Sequence, residues 1–343
     1  MLETAAPGGP GALEAARASL RGELVLVTGA AGFIGSHLVD ALLDAGARVR
    51  VLDNFATGKR ANLRTSLDRI ELLEGDIREA AVCTRACLDV RVVFHQAALG
   101  SVPRSLKDPA STIAVNVGGT ANVFAAARDA GARRVVYASS SSVFGDSDRL
   151  PKREGEEGRP ISPYALSKKL DEELADVFAR CFGMELVGLR YFNVYGPRQD
   201  PDGPYAAVIP RFFSAFYRGE SPVIYGDGTQ SRDFTFVSDA VAANLLAAAG
   251  PASSCGRAYN VAAGHRTSLV DLAQRVGEVA GSSAQPVHAP PRPGDVAHSL
   301  ADLSQVSGSL GYRPSTTLVQ GLRASAAYYH GLVRQSAAAG AAR

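Results

Sequence analysis

The sequence predicts a doubly wound α/β fold: a parallel sheet with helices on both faces, joined to a smaller C-terminal α/β lobe. Three observations carry that prediction. Short apolar runs at 23–28, 48–52, 69–73, 90–95, 134–138 and 185–190 alternate with helical patterns, as βαβ units do and hairpins do not. The first run ends in Thr28-Gly-Ala-Ala-Gly-Phe-Ile-Gly35, a glycine-rich turn that opens a helix. After Gly196-Pro197 the alternation breaks, and 198–225 mixes turns, an amphipathic helix near 208–218 and a short strand.

Composition sets the outer limits. The 343 residues are 46% hydrophobic and 20% charged, enough to bury a full core. Lys plus Arg number 36 against 34 Asp plus Glu, which offers no footprint for nucleic acid or an anionic membrane. Cys83, Cys87, Cys181 and Cys255 form no Cys/His cluster of zinc spacing. They read as reduced thiols in a cytoplasmic protein, and no metal site is expected. Neither a secretory h-region nor an apolar run of about 18 residues occurs. Residues 1–10 read as loose, and 11–21 as a short amphipathic helix with Leu13, Ala16 and Leu20 on one side.

In the first βαβ unit Gly29 permits the tight turn. Gly32 lets backbone N–H groups approach a pyrophosphate at the positive helix end, and Gly35 allows close helix–strand packing. The helical pattern 36–45 leads to strand 48–52. At its end Asp53 is placed to accept from an adenosine ribose. These spacings predict a Rossmann-type dinucleotide site. The Asp53 charge repels a 2′-phosphate, so NAD is favoured over NADP, with Lys59 and Arg60 partly offsetting it. Strand 69–73 leads to Gly75-Asp76-Ile77, whose carboxylate and backbone would meet the adenine. Strand 90–95 runs into Gln96-Ala97-Ala98, small residues at a strand's carboxyl end, where such sheets bind ligands. Residues 109–130 read as one long helix containing Asn116. Strand 134–138 ends in the serines 139–142, a run expected outside the core.

A charged loop over 146–161 precedes Tyr164-Ala-Leu-Ser-Lys168, the opening of another helix. Residues i and i+4 share a helix face. A free tyrosine has a pKa of roughly 10, and a fixed cation nearby favours its phenolate, so the pair has the makings of a general base. Further on, 233–237 reads as a strand, Ser238-Asp239 as the cap of a helix over 240–249, and 259–261 as another strand. Residues 22–190 are thus expected to form the cofactor domain, re-entered at about 232–262. Residues 191–231 and 263–335 would form the lobe, and 336–343 a tail.

Taken in order, the glycine turn, Asp53-Asn54, Gly75-Asp76-Ile77, the serine run, Tyr164-x-x-x-Lys168 and Arg190-Tyr-Phe-Asn-Val-Tyr-Gly-Pro-Arg198 resemble the extended short-chain dehydrogenase/reductases. That group includes nucleotide-sugar epimerases, dehydratases and decarboxylases. The chain looks most like bacterial UDP-N-acetylglucosamine 4-epimerases, through residues 95–105, 199–210 and 292–299. The resemblance implies bound NAD, a UDP-sugar substrate and a homodimer paired through a helix bundle. It implies Tyr164 as the base, Lys168 beside the nicotinamide ribose, and Ser140 sharing a hydrogen bond with the sugar O4. To the cofactor set it adds Phe33, Ile34, Asn54, Thr57, Gly58, Asn116, Tyr191 and Val194. To the substrate set it adds Ser101, Ser141, Ser142, Ala207 and Val208, with Asn193 at the diphosphate or sugar and Tyr225 near the uracil. Arg232 and Arg292 would bind the diphosphate, and Asp295 the uridine ribose. Dehydratases of this fold carry Asp-Glu after the catalytic hydroxyl; here Ser141-Ser142 stands there. Ser299 aligns with the position lining the N-acetyl side of the sugar, where a tyrosine excludes acetylated substrates. A hexuronate epimerase or decarboxylase stays open, with Arg104 or Arg211 serving a carboxylate. The intact Ser140, Tyr164 and Lys168 set argues against a non-catalytic NAD-binding protein.

Overall fold

A computed structural model describes residues 10–202, 206–291 and 296–341. The sheet is built from β1 (Leu24–Thr28), β2 (Arg48–Asp53), β3 (Ile70–Glu74), β4 (Val92–His95), β5 (Arg134–Ser140), β6 (Glu185–Tyr191) and a last strand, Arg257–Val261. All pairings are parallel, in the order last strand, β6, β5, β4, β1, β2, β3. Strand residues alternate between faces. Val25, Val27, Val49, Val51 and Phe94 pack on one side with Ala16, Leu20, Leu38, Val39 and Leu245. Leu24, Leu26, Val93 and Val135 pack on the other with Cys83, Val123, Phe124 and Ala175.

The helices that cover these faces are α1 (Pro10–Leu20), α2 (Phe33–Asp44), α3 (Ala80–Cys87), α4 (Val102–Lys107), α5 (Pro109–Ile113), α6 (Gly119–Asp129) and α7 (Pro163–Phe182). The stretch expected as one helix over 109–130 is divided. A π-helical turn, Ala114–Gly118, separates α5 from α6 and carries Asn116. Such turns are common at functional sites.

The lobe contains β7 (Val194–Tyr195), α8 (Val208–Tyr217), β8 (Val223–Tyr225), β9 (Ser231–Asp233) and β10 (Thr235–Phe236). The chain then returns to the sheet through α9 (Val237–Ala249) and the edge strand, β11 (Arg257–Val261). It completes the lobe with β12 (Arg266–Ser268), α10 (Leu269–Ala280) and β13 (Val287–Ala289). Helix α11 (Ser304–Leu310) adds Val306 and Leu310 to the sheet's core, and α12 (Leu318–Ala341) closes the chain. An aromatic cluster holds the lobe: the Phe213 ring stacks 5.1 Å from Tyr329, among Phe212, Phe216 and Leu272.

Three local expectations fail. The run 233–237 is two short strands rather than one, because β9 pairs with β12 and β10 with β7. Asp239 does not cap a helix. Helix α9 starts at Val237, and the Asp239 carboxylate instead accepts from Ser315 N (3.0 Å), Ser315 Oγ (2.9 Å) and Thr316 N (3.3 Å), tying the C-terminal segment down. Residues 336–341 continue α12. Among the described residues no helix is long and apolar enough to cross a membrane, and no group of three acidic, His or Cys side chains is placed to hold a metal ion.

Candidate active site

Strands β1 and β4 are neighbours where the strand order reverses, the place at which open α/β sheets form a ligand crevice. Their carboxyl ends touch. Gly29 has φ +68°, and a Cβ there would lie 2.6 Å from Ala97 N. Gly32 caps α2 without a side-chain hydrogen bond, so the N–H groups of its first turn, at Phe33 and Ile34, are left for an anion. The cavity of about 290 Å³ is lined by Gly29, Gly32, Asp53, Asn54, Thr57, Gly58, Asp76, Ile77, Gln96, Ala97 and Ala98. Asp53 is buried and accepts from Ala31 N and Phe55 N, each at 2.8 Å. Burial raises its carboxyl above the ordinary value, and those two N–H groups pull it back. Asp76 is held down to about 2, chiefly by the Arg78 guanidinium. The two cations that would offset Asp53 are engaged elsewhere. Lys59 pairs with Asp200 at 2.8 Å, and Arg60 pairs with Glu74 and lies 3.9 Å over the Phe55 ring.

Helix α7 begins at a built cap. Ser162 Oγ accepts from Ala165 N at 3.1 Å, with Pro163 in the first turn. That fixes the phase of the helix, placing Tyr164 half-buried and Lys168 buried. The Lys168 ammonium donates to Ala138 O at 2.9 Å and pairs with Asp171 Oδ2 at 3.1 Å. Behind it His95 bonds the Thr28 hydroxyl (2.6 Å) and the Thr120 hydroxyl (2.9 Å). Burial, then the charge of Lys168, press His95 down to about 3, so its ring is neutral.

Ser140 ends β5, its Oγ accepting from Ser142 N at 3.1 Å. The serine run is not wholly outside the core. Ser139 is buried and donates to Glu172 Oε1 at 2.5 Å, because β5 runs two residues past its expected end and alternation turns Ser139 inward. Glu172 is in turn bound by Arg190, which also pairs with Glu157. This buried network braces the serines against α7.

Two further cavities, each of about 320 Å³, adjoin. One is lined by Asn193, Val194, Ala207, Val208, Arg211, Tyr225 and Arg232. The other is lined by Ser141, Ser142, Lys152, Ser162, Ala165, Asn193, Arg232 and Ser299. Asn193 and Arg232 line both, so the two cavities are neighbours; Ser162 and Ala165, which flank Tyr164 along α7, line the second, while Tyr164, Ser140 and Lys168 line none of the three. No acidic residue is among the described residues lining that second cavity. Ser142 Oγ is buried there with no hydrogen-bond partner.

Residues 25–262 match the NAD dependent epimerase/dehydratase family. The chain belongs to that family. It is similar to the UDP-glucose 4-epimerase of Mycolicibacterium smegmatis, 38% identical over 308 residues, covering 89% of this chain and 97% of the relative. Among solved structures it is similar to a UDP-N-acetylglucosamine 4-epimerase from Methanobrevibacter ruminantium M1 in complex with UDP-N-acetylmuramic acid. There the TM-score is 0.87 and the identity 38%, covering 91% of this chain and 99% of that one. It is also similar to the UDP-glucuronic acid 4-epimerase of Bacillus cereus in complex with UDP-glucuronic acid and NAD, with TM-score 0.83 and 32% identity, covering 90% and 99%. As in the rest of the family the cofactor is NAD. The glycine cradle, the uncapped helix end and Asp53 fit it.

Several residues expected at the site are engaged by other groups of the protein. Asn116 is buried, and its amide is spent on Leu99 N (2.8 Å) and Ser167 Oγ (2.9 Å), so it anchors the β4 loop to α7 instead of facing the dinucleotide. The Tyr191 hydroxyl is closed into a ring with Gln96 and Asn244, and burial pushes it up to about 12. Val194 lines the cavity that holds Tyr225 and Arg211, not the dinucleotide cleft. Ser101 caps α4, accepting from Arg104 N at 3.2 Å, and lines none of the three cavities. Arg292 and Asp295 lie outside the described residues. Sequence reasoning missed Arg78, Asn244, Lys152 and Asp171. Only Asp171 left a signal, its position three residues past Lys168 on the same helix.

Proposed function

We propose that this protein inverts C4 of UDP-hexoses, with UDP-N-acetylglucosamine and UDP-N-acetylgalactosamine as its principal pair and UDP-glucose and UDP-galactose accepted besides. The reading rests on one observation above all. The cavity reached by Ser162 and Ala165, the neighbours of Tyr164 on α7, is walled by four serines, Ser141, Ser142, Ser162 and Ser299, and by no described acid. A serine at 299, only 8% exposed, leaves volume for an N-acetyl group, and the unpaired Ser142 hydroxyl offers it a hydrogen bond. Elimination needs an acid that this wall does not supply.

In this reading Tyr164 removes the O4 proton, with Ser140 sharing a hydrogen bond to that oxygen. The Lys168 charge favours the phenolate. NAD bound in the glycine-lined cleft would supply the hydride-accepting and hydride-donating chemistry at C4. Arg232 and Asn193 hold the diphosphate while the 4-keto sugar turns over. A guanidinium fork suits phosphate oxygens. A homodimer would bury the exposed Leu166, Leu170 and Val177 of α7. Sedimentation at the monomer mass would sink that part of the reading.

A second reading, a 4-epimerase or decarboxylase of UDP-hexuronates, is favoured by one side chain. Lys152 is buried and lines the cavity that holds Ser299, its ammonium donating to Ser147 O and placed to meet a carboxylate there as well. The purified protein, given UDP-N-acetylglucosamine, UDP-glucose and the matching uronates without added NAD, separates these readings. C4 inversion of the acetylated pair supports the first, and inversion or CO₂ release from uronates alone supports the second. Tyr164→Phe is expected to lower turnover by roughly 10³-fold while UDP-sugar binding survives. A fully active variant overturns the assignment of the base.

A further inference from the structure

Lys168 is not a lone cation. Asp171, three residues along α7, is 0% exposed, and its Oδ2 stands 3.1 Å from Lys168 Nζ. Its other oxygen, Oδ1, is buried without a hydrogen-bond partner. The remaining ionisable groups around the pair are silenced or committed. On α7 itself Glu172 is taken up by Arg190 of β6 and by Ser139. His95 of β4 is neutral, both ring nitrogens held by threonine hydroxyls. Burial keeps the Tyr137 hydroxyl of β5 protonated. From α6 only the Thr120 hydroxyl faces Asp171. Among the described residues no other carboxylate lies within ion-pair distance of Lys168.

We propose that Asp171 is a positioning residue that clamps the Lys168 ammonium against Ala138 O and, by its negative charge, sets the pH window in which Tyr164 works as the base. This rests on the reading of Tyr164 given above. The cation's purpose in that reading is to favour a phenolate. A carboxylate in contact with the same cation offsets part of its field at Tyr164 and simultaneously makes the ammonium harder to deprotonate. Both effects move activity toward higher pH. Burial raises Asp171 to about 6, with Lys168 and then Thr120 pulling it back, so it carries its charge at neutral pH and above.

Asp171→Asn keeps the size and one acceptor oxygen but removes the charge. In a profile of turnover from about pH 5 to about pH 10, the acid and alkaline limbs are expected to move down together, by roughly one pH unit. Asp171→Glu, which restores the charge, should bring both limbs back even if the rate is lower. A purely structural residue would lower the rate at every pH and leave the limbs in place, and that outcome overturns the proposal. Asp171→Ser is read in the same way if the Asn variant is insoluble. Wild type that inverts no UDP-hexose, or an active Tyr164→Phe, defeats the underlying reading instead. An inactive Tyr164→Phe beside unmoved Asp171→Asn limbs defeats this inference alone.

Discussion

The dinucleotide cleft and the two cavities beside it are made of different material. The cleft is largely backbone. Its walls are the ends of β1, β2, β3 and β4, its glycines leave room for N–H groups, and a single methyl at Gly29 would meet Ala97 N at 2.6 Å. The cavities are side chains gathered from afar: Ser141 and Ser142 after β5, Asn193 after β6, Arg232 on β9 and Ser299 beyond β13. A site of backbone fails all at once when sterics are violated. A site of side chains fails in increments, each residue taking away its own contact and changing selectivity without removing the cavity.

Four substitutions sharpen that contrast. The largest effect is expected at Gly29→Ala, where a left-handed φ of +68° adds to the clash. Bound NAD, read by its release on denaturation, should fall with turnover by at least about 100-fold, since the clash and the strain together exceed roughly 3 kcal/mol. Stoichiometric NAD in that variant would show that the cleft is more forgiving than its geometry. Arg232→Ala removes one charge-assisted partner, roughly 1.5–3 kcal/mol. The KM for a UDP-sugar should rise about 10- to 100-fold with NAD content unchanged; loss of NAD instead would mean the two regions are not separable. Ser299→Tyr should cost the acetylated pair at least about tenfold in kcat/KM relative to UDP-glucose and UDP-galactose. An unchanged ratio removes Ser299 as the selectivity residue.

The smallest effect is one of stability. Asp233, on β9, is fully buried and accepts from Ala263 N (3.0 Å), Gly264 N (3.1 Å) and Ala301 N (3.2 Å). Burial raises it to about 6 in spite of those bonds. Between about pH 4 and pH 6 the folded state therefore holds a proton that the unfolded state releases. Its contribution to stability is greatest below that range and declines as pH rises through it. Melting curves of wild type against Asp233→Asn should show the difference shrinking or reversing from pH 4 to pH 6, by on the order of 2 kcal/mol, with NAD retention untouched. A pH-independent difference contradicts the raised value.

The same contrast governs how much of the molecule was legible beforehand. Gly29, Gly32 and Asp53 could be read because turn, helix start and strand end are local, and the spacing of glycines against apolar runs is itself the signal. Tyr164 and Lys168 could be paired by helix period alone. Asp239 was misread for the same reason in reverse. Its local position implies a cap, but a partner 76 residues away claimed the carboxylate. Asn116 looked like a cofactor ligand, and the π-helical turn spent its amide on Leu99 and Ser167.

By itself, then, the amino-acid order determined the doubly wound sheet, the glycine turn of the dinucleotide cleft and the placing of Tyr164 and Lys168 one helical turn apart, because each is encoded within one βαβ unit or one helix turn. Only the tertiary structure decided that Asn244 closes a ring with Gln96 and Tyr191, that Lys152 lines the same cavity as Ser299, and that the Lys168–Asp171 pair is buried. Burial and contact between elements far apart in the chain decide the surroundings of such a residue. No local spacing carries that information.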